Sequence, residues 1–387
     1  MLIRSPLKFE SYGAVKIYDV TRVVCLYGVD FERKHGVFNL TSDNLLKTAE
    51  STSIVIPVKD EDPLMLEGVL RAIPLHSPAI IVSNSSQSPL DIYSSEIDLA
   101  KNIHQLSGRP VVVIHQKDPV VSELLKDGVP ELVDESKGVV RDGKGEGLLL
   151  GTLVAEGLGS KYVGYIDSDN FVPGAALEYA LIYYTALSMS KSPYKMVRIS
   201  WGFKGWYGGD LLLRRWGRVS SVVSNVFNYA LSRGRRFETD IIKTSNSGEH
   251  AMSIELAKIL NFASRYAIET HELVHILETC YMGVKENVCK ALPNNIDVIQ
   301  VESRNPHLHV EKGEIHILEM LVESLGSIYH SRIADQEVRT SILKLLRELS
   351  YEEEPVKPRI YKYPDVNAKK FLDDILARSE VSVAYGL

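Results

Sequence analysis

The chain has 387 residues, a formal net charge of −6, and 45% hydrophobic against 24% charged residues. This is ordinary globular composition, and its mild acidity argues against a nucleic-acid partner. Met1–Glu10 carries no apolar signal core, no uncharged apolar run reaches the roughly 18 residues that span a bilayer, and Cys25, Cys280 and Cys289 form no CxxC. A soluble, cytoplasmic protein without a disulfide framework, a cysteine-built zinc site or a membrane partner is expected.

"VKIYDV" (15–20) and "RVVCLYGV" (22–29) predict short strands in an N-terminal extension, residues 1–50, packed on the core. Residues 51–200 then alternate buried strands with amphipathic helices. "SIVIPV" ends in "KDED", and Asp62 and Pro63 suit the cap and first position of a helix. "PAIIVSN", "RPVVVIHQ" and "KYVGYID" are further strands, and "GEGLLLGTLVAEGLG" is the helix before the last of them. Apolar strands without polar alternation, separated by helices, predict an α/β fold with a mainly parallel, Rossmann-like sheet. Residues 201–330 add the strand "IDVIQVES" and the helices "HAMSIELAKIL" and "HELVHILETCYM". Residues 331–387 form C-terminal helices and a Pro- and charge-rich tail that wraps the surface.

Ligands of such sheets sit beyond the carboxyl ends of the strands. There "YIDSDN" places Asp167 and Asp169 side by side, and two carboxylates repel unless a cation or donors compensate. The bland reading is a helix cap at Asp169 or Asn170. An EF-hand fails because Phe171 and Val172 replace a ligand and the turn glycine. A haloacid-dehalogenase phosphatase fits poorly, since Phe171 stands where that motif wants Thr or Val. The third reading is a nucleotide-sugar transferase of the GT-A type, in which a divalent cation joins the DxD to the sugar-nucleotide diphosphate. "IPVKDED" suits the base pocket of that fold, and Lys144 in "DGKGEG" suits a pyrophosphate cradle at a helix start.

In order, "IPVKDED", "DGKGEG", "YIDSDN", "WGRVS", "YAIETHEL" and "RNPHLH" resemble the mannosyl-3-phosphoglycerate synthases, retaining GT-A enzymes related to glucosyl-3-phosphoglycerate synthases. The resemblance covers nearly the whole chain. It implies transfer of mannose from GDP-mannose to the 2-hydroxyl of 3-phosphoglycerate, giving the precursor of the compatible solute mannosylglycerate. It implies that Pro57, Val58, Lys59, Glu61, Asn84 and Lys144 hold the donor, with Asp167 and Ser168 facing ribose and phosphate. It assigns the metal to Asp169 and His309, the acceptor to Gly217, Arg218, Val219 and Ser220, and a place beside the reacting sugar to Glu269. Asp167, Asp169, Glu269 and Arg218 are the candidate catalytic residues. Mg2+ is the first choice of cation, with Mn2+, Co2+ and Zn2+ as alternatives, and a homodimer is expected by analogy.

Arg214, Arg215, Arg218, Arg233, Arg235 and Arg236 concentrate in one region. A solvated helix face is the ordinary outcome; arginine forks also match the phosphate and carboxylate of the acceptor, and Arg218 in "GRVS" is the chosen one. The rival enzyme reading is a zinc metallopeptidase built on His271-Glu272-Leu273-Val274-His275, an H-E-x-x-H motif. It lacks a third ligand, and two histidines on a partly buried helix is the preferred reading. A non-catalytic sugar-nucleotide-binding protein is the alternative outside enzymes. For the chemistry, a same-face transfer is favoured, with the departing diphosphate taking the acceptor proton.

Overall fold

The computed structural model describes residues 2–4, 8–20, 37–39, 41–170, 172–201, 218–280, 296–307 and 313–387. In chain order its strands are β1 (Leu2–Arg4), β2 (Lys8–Tyr12), β3 (Val15–Val20), β4 (Val37–Asn39), β5 (Thr52–Val58), β6 (Ala79–Ser83), β7 (Val111–His115), β8 (Val133–Asp134) and β9 (Val139–Val140). The remaining strands are β10 (Tyr162–Tyr165), β11 (Lys195–Trp201), β12 (His250–Ser253), β13 (Asn261–Ala263), β14 (Ile296–Ser303), β15 (Ile360–Lys362) and β16 (Val383–Tyr385). The helices up to residue 280 are α1 (Ser42–Glu50), α2 (Pro63–Ala72), α3 (Ile92–Ser107), α4 (Pro119–Leu125), α5 (Lys144–Gly157), α6 (Pro173–Met189), α7 (Arg218–Arg235), α8 (Ile254–Ala257) and α9 (Ile268–Cys280). Helices Glu314–Tyr329, Gln336–Glu348 and Ala368–Arg378 complete the described residues.

A ten-stranded sheet runs in the order β16-β7-β6-β5-β10-β12-β11-β14-β3-β2. Strands β7, β6, β5 and β10 are mutually parallel, as are β11, β14 and β3, while β12 runs antiparallel between β10 and β11. The mainly parallel α/β sheet is therefore as the apolar strand runs predict. Period-two alternation divides the core between its two faces. Val55 on β5 belongs with α5 and α9 on one face, while Ile54 and Ile56 belong with α2, α3 and α6 on the other. Gly151 lets α5 close on Val55, where a β-carbon would overlap the valine side chain. The start of α2 is as predicted: Pro63 opens it and Asp62 Oδ1 accepts from the Leu64 amide at 2.9 Å.

Three expectations change. "HAMSIELAKIL" is not one helix: His250–Ser253 is strand β12, and α8 begins only at Ile254. All four β12 residues are buried between two strands, whose ladders satisfy their backbone groups, so no helical face is expressed. The C-terminal tail does more than wrap the surface: β15 pairs with β13, and β16 adds to the β7 edge of the main sheet. Cys280 is disulfide-bonded, although cysteine spacing predicts no disulfide framework. Pairing depends on spatial approach rather than spacing; Cys25 and Cys289, like "RVVCLYGV", lie outside the described residues. No described helix is long and apolar enough to cross a membrane.

Candidate active site

The parallel strands end together, and the segments that leave them meet. Residues 59–62 come after β5, 84–86 after β6 and 166–170 after β10. Because β12 is antiparallel, the segment 244–249 that enters it arrives at the same end, with His250 opposite Tyr165 and Arg198.

Lys144 occupies the first position of α5, behind Gly143, whose φ of 155° suits glycine. Its Nζ donates to Asp167 Oδ2 at 2.9 Å, stands 2.7 Å from Oδ1, and donates to Glu269 Oε1 at 2.7 Å, so one ammonium bridges β10's exit and the first turn of α9. Burial pulls the lysine pKa down, but Asp167 and Glu269 outweigh it and hold it well above the usual range. Glu269 is buried, and its other oxygen accepts from Asn246 Nδ2. Gly248 lies against this pair, where a β-carbon would overlap Asp167 Oδ2 and stand 2.9 Å from Lys144 Nζ.

The rest of "DSDN" is not a helix cap, since Val172 caps α6 without a side-chain bond. Ser168 and Asn170 are buried and Asp169 is half-buried. Asn170 Nδ2 donates to Glu249 Oε1 at 2.8 Å, leaving Glu249 Oε2 and Asn170 Oδ1 buried without a partner. Burial, reinforced by the charge of Asp167, pushes the Glu249 carboxyl up to about 8. His307 stacks on Trp201 at 4.5 Å, with Nδ1 3.3 Å from Tyr179 Oη and 3.8 Å from Glu249 Oε1. Glu178 accepts the amides of Arg304 and Asn305 at 2.9 and 2.8 Å, fixing the segment that leads toward His309. His309 itself lies outside the described residues.

On the other predicted donor residues, Val58 is buried and Pro57 and Glu61 are half-buried, while Lys59 is exposed at the end of β5. Asp60, which the motif reading passed over, ties the two loops together. Its Oδ1 accepts from the Ser86 amide at 2.8 Å, and its own amide donates to Ser85 Oγ at 2.8 Å. Asn84 Nδ2 donates to Asp142 Oδ1 at 3.1 Å, linking the β6 loop to the turn before Lys144. Of the predicted acceptor set, Val219 and Ser220 are buried in the first turn of α7. Gly217 and the side chain of Arg218 lie outside the described residues, as do Arg214 and Arg215. Arg233 is spent on structural ion pairs with Asp335 and Glu337.

The H-E-x-x-H segment has no catalytic geometry. Glu272 is buried, accepting from Arg198 Nη1 at 3.0 Å, with His250 Nε2 3.1 Å from its other oxygen. His271 has neither ring nitrogen partnered, and His275 Nδ1 accepts from the Asn261 amide at 3.3 Å. Burial holds both imidazoles neutral, down to about 3 for His271, where His275 adds to the effect, and to about 4 for His275. No three His, Cys, Asp or Glu side chains among the described residues are grouped to hold a metal.

The profile of the mannosyl-3-phosphoglycerate synthase family matches residues 5–375. The chain belongs to the mannosyl-3-phosphoglycerate synthase family. The mannosyl-3-phosphoglycerate synthase of Aeropyrum pernix is 46% identical over 388 residues, and that of Pyrococcus furiosus 37% identical over 400, each match covering 100% of both chains. The fold is also that of glucosyl-3-phosphoglycerate synthase from Mycobacterium tuberculosis, solved with Mn2+, UDP-glucose and glycerol 3-phosphate. That structure superposes with a TM-score of 0.50 at 20% identity, covering 79% of this chain and 88% of its own. This member of the mannosyl-3-phosphoglycerate synthase family is thus a glycosyltransferase, and the peptidase reading falls. Its sequence motifs locate Lys144, Asp167 and Glu269, which the fold brings together. Asn246, Gly248 and Glu249 escape them, although "NSGEH" offered a signal: a glycine flanked by polar residues before a buried strand.

Proposed function

We propose that the enzyme transfers mannose from GDP-mannose to the 2-hydroxyl of 3-phosphoglycerate with retention, at the carboxyl ends of β5, β6 and β10. The observation that carries this reading is Lys144 held between Asp167 and Glu269 beside the DxD, in a chain of this family. Pro57, Val58, Lys59, Glu61 and Asn84 take the guanosine side, and Ser168 faces ribose and phosphate. Residues 51–200 are then the donor half and 201–330 the acceptor half.

Asp169 and His309 would hold a divalent cation, Mg2+ by preference. The charges of Asp167, Asp169 and Lys144 all act on Glu249, and a buried oxygen of Glu249 lacks a partner. The Asp169 carboxylate is an oxygen donor of the kind that suits a hard cation. Such a cation, when bound, neutralises charge on a diphosphate leaving group. The protein's own residues orient the reactants. Lys144 holds Asp167 and Glu269 in place. Gly217, Arg218, Val219 and Ser220 receive the acceptor, with the Arg218 guanidinium matched to its phosphate or carboxylate. Glu269 lies at the sugar, and the departing diphosphate takes the acceptor proton.

A panel of GDP- and UDP-sugars with 3-phosphoglycerate, with product identification, tests the reading. GDP-mannose giving GDP and the phosphorylated glycoside is the expected result. Release of GDP without any glycoside, across several metals, would sink it. A cytoplasmic homodimer is the proposed state, and light scattering of the purified chain checks the assembly.

A further inference from the structure

The segment that enters β12 is pinned by its neighbours at nearly every residue. Thr244 and Ser245 carbonyls accept from Arg198, at 3.2 and 3.1 Å, and the Ser245 amide donates to Ser224 Oγ at 3.1 Å. Ser247 Oγ donates to the Ile199 carbonyl at 2.8 Å. Asn246 stands in the middle of this frame, and its side chain takes no part in it. The amide Nδ2 is turned instead to Glu269 Oε2. Lys144 takes the other oxygen at 2.7 Å, and Arg198 Nη2 takes the Glu269 carbonyl at 2.7 Å. A carboxylate needs no third anchor for its charge, because Lys144 already meets it. What the amide adds is direction: with one donor on each oxygen, the carboxylate plane is set and its remaining lone pairs face fixed ways.

We propose that Asn246 is a positioning residue that aims the Glu269 carboxylate at the hydroxyl groups of the donor hexose. This rests on the reading of Glu269 as lying at the sugar. Both lone-pair-bearing oxygens of a carboxylate clamped in this way can accept from a sugar hydroxyl without reorganising, which is where such preorganisation contributes to rate. On the same reading the guanosine lies toward β5 and β6 and the diphosphate at Lys144 and the DxD, so neither takes a direct contact from Asn246. Asn246 therefore separates recognition of the sugar from recognition of the nucleotide.

The experiment compares Asn246→Ala, Asn246→Asp and Glu269→Gln in kcat/KM for GDP-mannose and in Kd for GDP with Mg2+, with thermal unfolding as the folding control. Asn246→Ala should lower kcat/KM about ten- to a hundredfold, the range of a lost hydrogen bond to a charged group, while GDP affinity stays within about twofold. Asn246→Asp keeps the shape and replaces the donor by a carboxylate facing Glu269, in the surroundings of Lys144, Asp167, Arg198 and Glu249. It should be impaired at pH 8 and recover relative to the wild type as pH falls, because one shared proton restores the donor. A purely structural asparagine would lower the unfolding temperature without either effect. If Glu269→Gln impairs use of GDP-mannose while both Asn246 variants match the wild type, the inference is wrong and the reading of Glu269 stands. If Glu269→Gln has no effect, that reading fails and takes the inference with it.

Discussion

Gly248 rests directly on the carboxylate of Asp167, closer than a β-carbon would allow. Asp167 cannot retreat freely, because Lys144 holds it at 2.7 Å. Gly248→Ala should therefore displace the Asp167–Lys144 pair while leaving the buried core intact. The expected outcome is a loss of up to about a hundredfold in kcat/KM, the scale of an ångström-sized misplacement, with little change in thermal unfolding. Wild-type kinetics for Gly248→Ala would show that the contact does not order the site.

Lys144 compensates two carboxylates, one of them deeply buried. Lys144→Met should abolish transfer. It should also cost about 3 kcal/mol of stability at neutral pH, since removing one partner strands buried charge. Burial pulls the Lys144 pKa down, but Asp167 and Glu269 hold it well above the usual lysine range, so the wild-type contribution is fully present at neutral pH. Chemical denaturation of both proteins at pH 7 measures the deficit.

Glu249 titrates at about 8 in the folded chain against 4.5 for an ordinary glutamate. A raised folded pKa means that its protonated form is favoured by folding. That contribution is complete below pH 4.5 and is lost as pH climbs toward 8. In the metal-free protein Glu249→Gln should flatten the decline, retaining stability above pH 8 that the wild type loses. Parallel curves of unfolding free energy against pH for the two proteins would rule this out.

His271 and Asp169 separate the two metal hypotheses. His271 is buried neutral, with a pKa lowered from 6.5 to about 3, so its contribution to stability is present above pH 6.5 and is lost as pH falls toward 3. His271→Leu removes two unpartnered buried nitrogens. It should leave transferase activity intact, raise stability by about 1 kcal/mol and extend tolerance to acid. Asp169→Ala should abolish metal-dependent transfer at unchanged unfolding temperature. Rate against Mg2+ concentration for both variants checks this; an active Asp169→Ala would remove the DxD from the site.

Local pattern was enough for the frame of this protein. Short apolar runs such as "SIVIPV" and the centre of "KYVGYID" read as buried strands, and the polar residues just beyond them as strand ends. The strand ends that carry Glu61, Asn84, Asp167 and Asp169 were legible for that reason, as was Lys144 at a glycine-marked helix start, whereas the choice of Pro57, Glu61 and Asn84 as donor residues is what the family resemblance implies. The partners of those residues were not legible, because they come from chain far away. Glu249 and Asn170 are 79 residues apart and meet only because β12 inserts antiparallel between β10 and β11, in a register that sets His250 against Tyr165. That insertion also carries Asn246 to Glu269 and Gly248 to Asp167. The H-E-x-x-H motif was undone in the same way. Nothing in the residues flanking Glu272 reveals that Arg198 from β11 and His250 from β12 occupy both of its oxygens. Hydrophobic periodicity acts along the chain and is written there, whereas the pairing of buried charges acts across space and is settled only by which strands lie side by side.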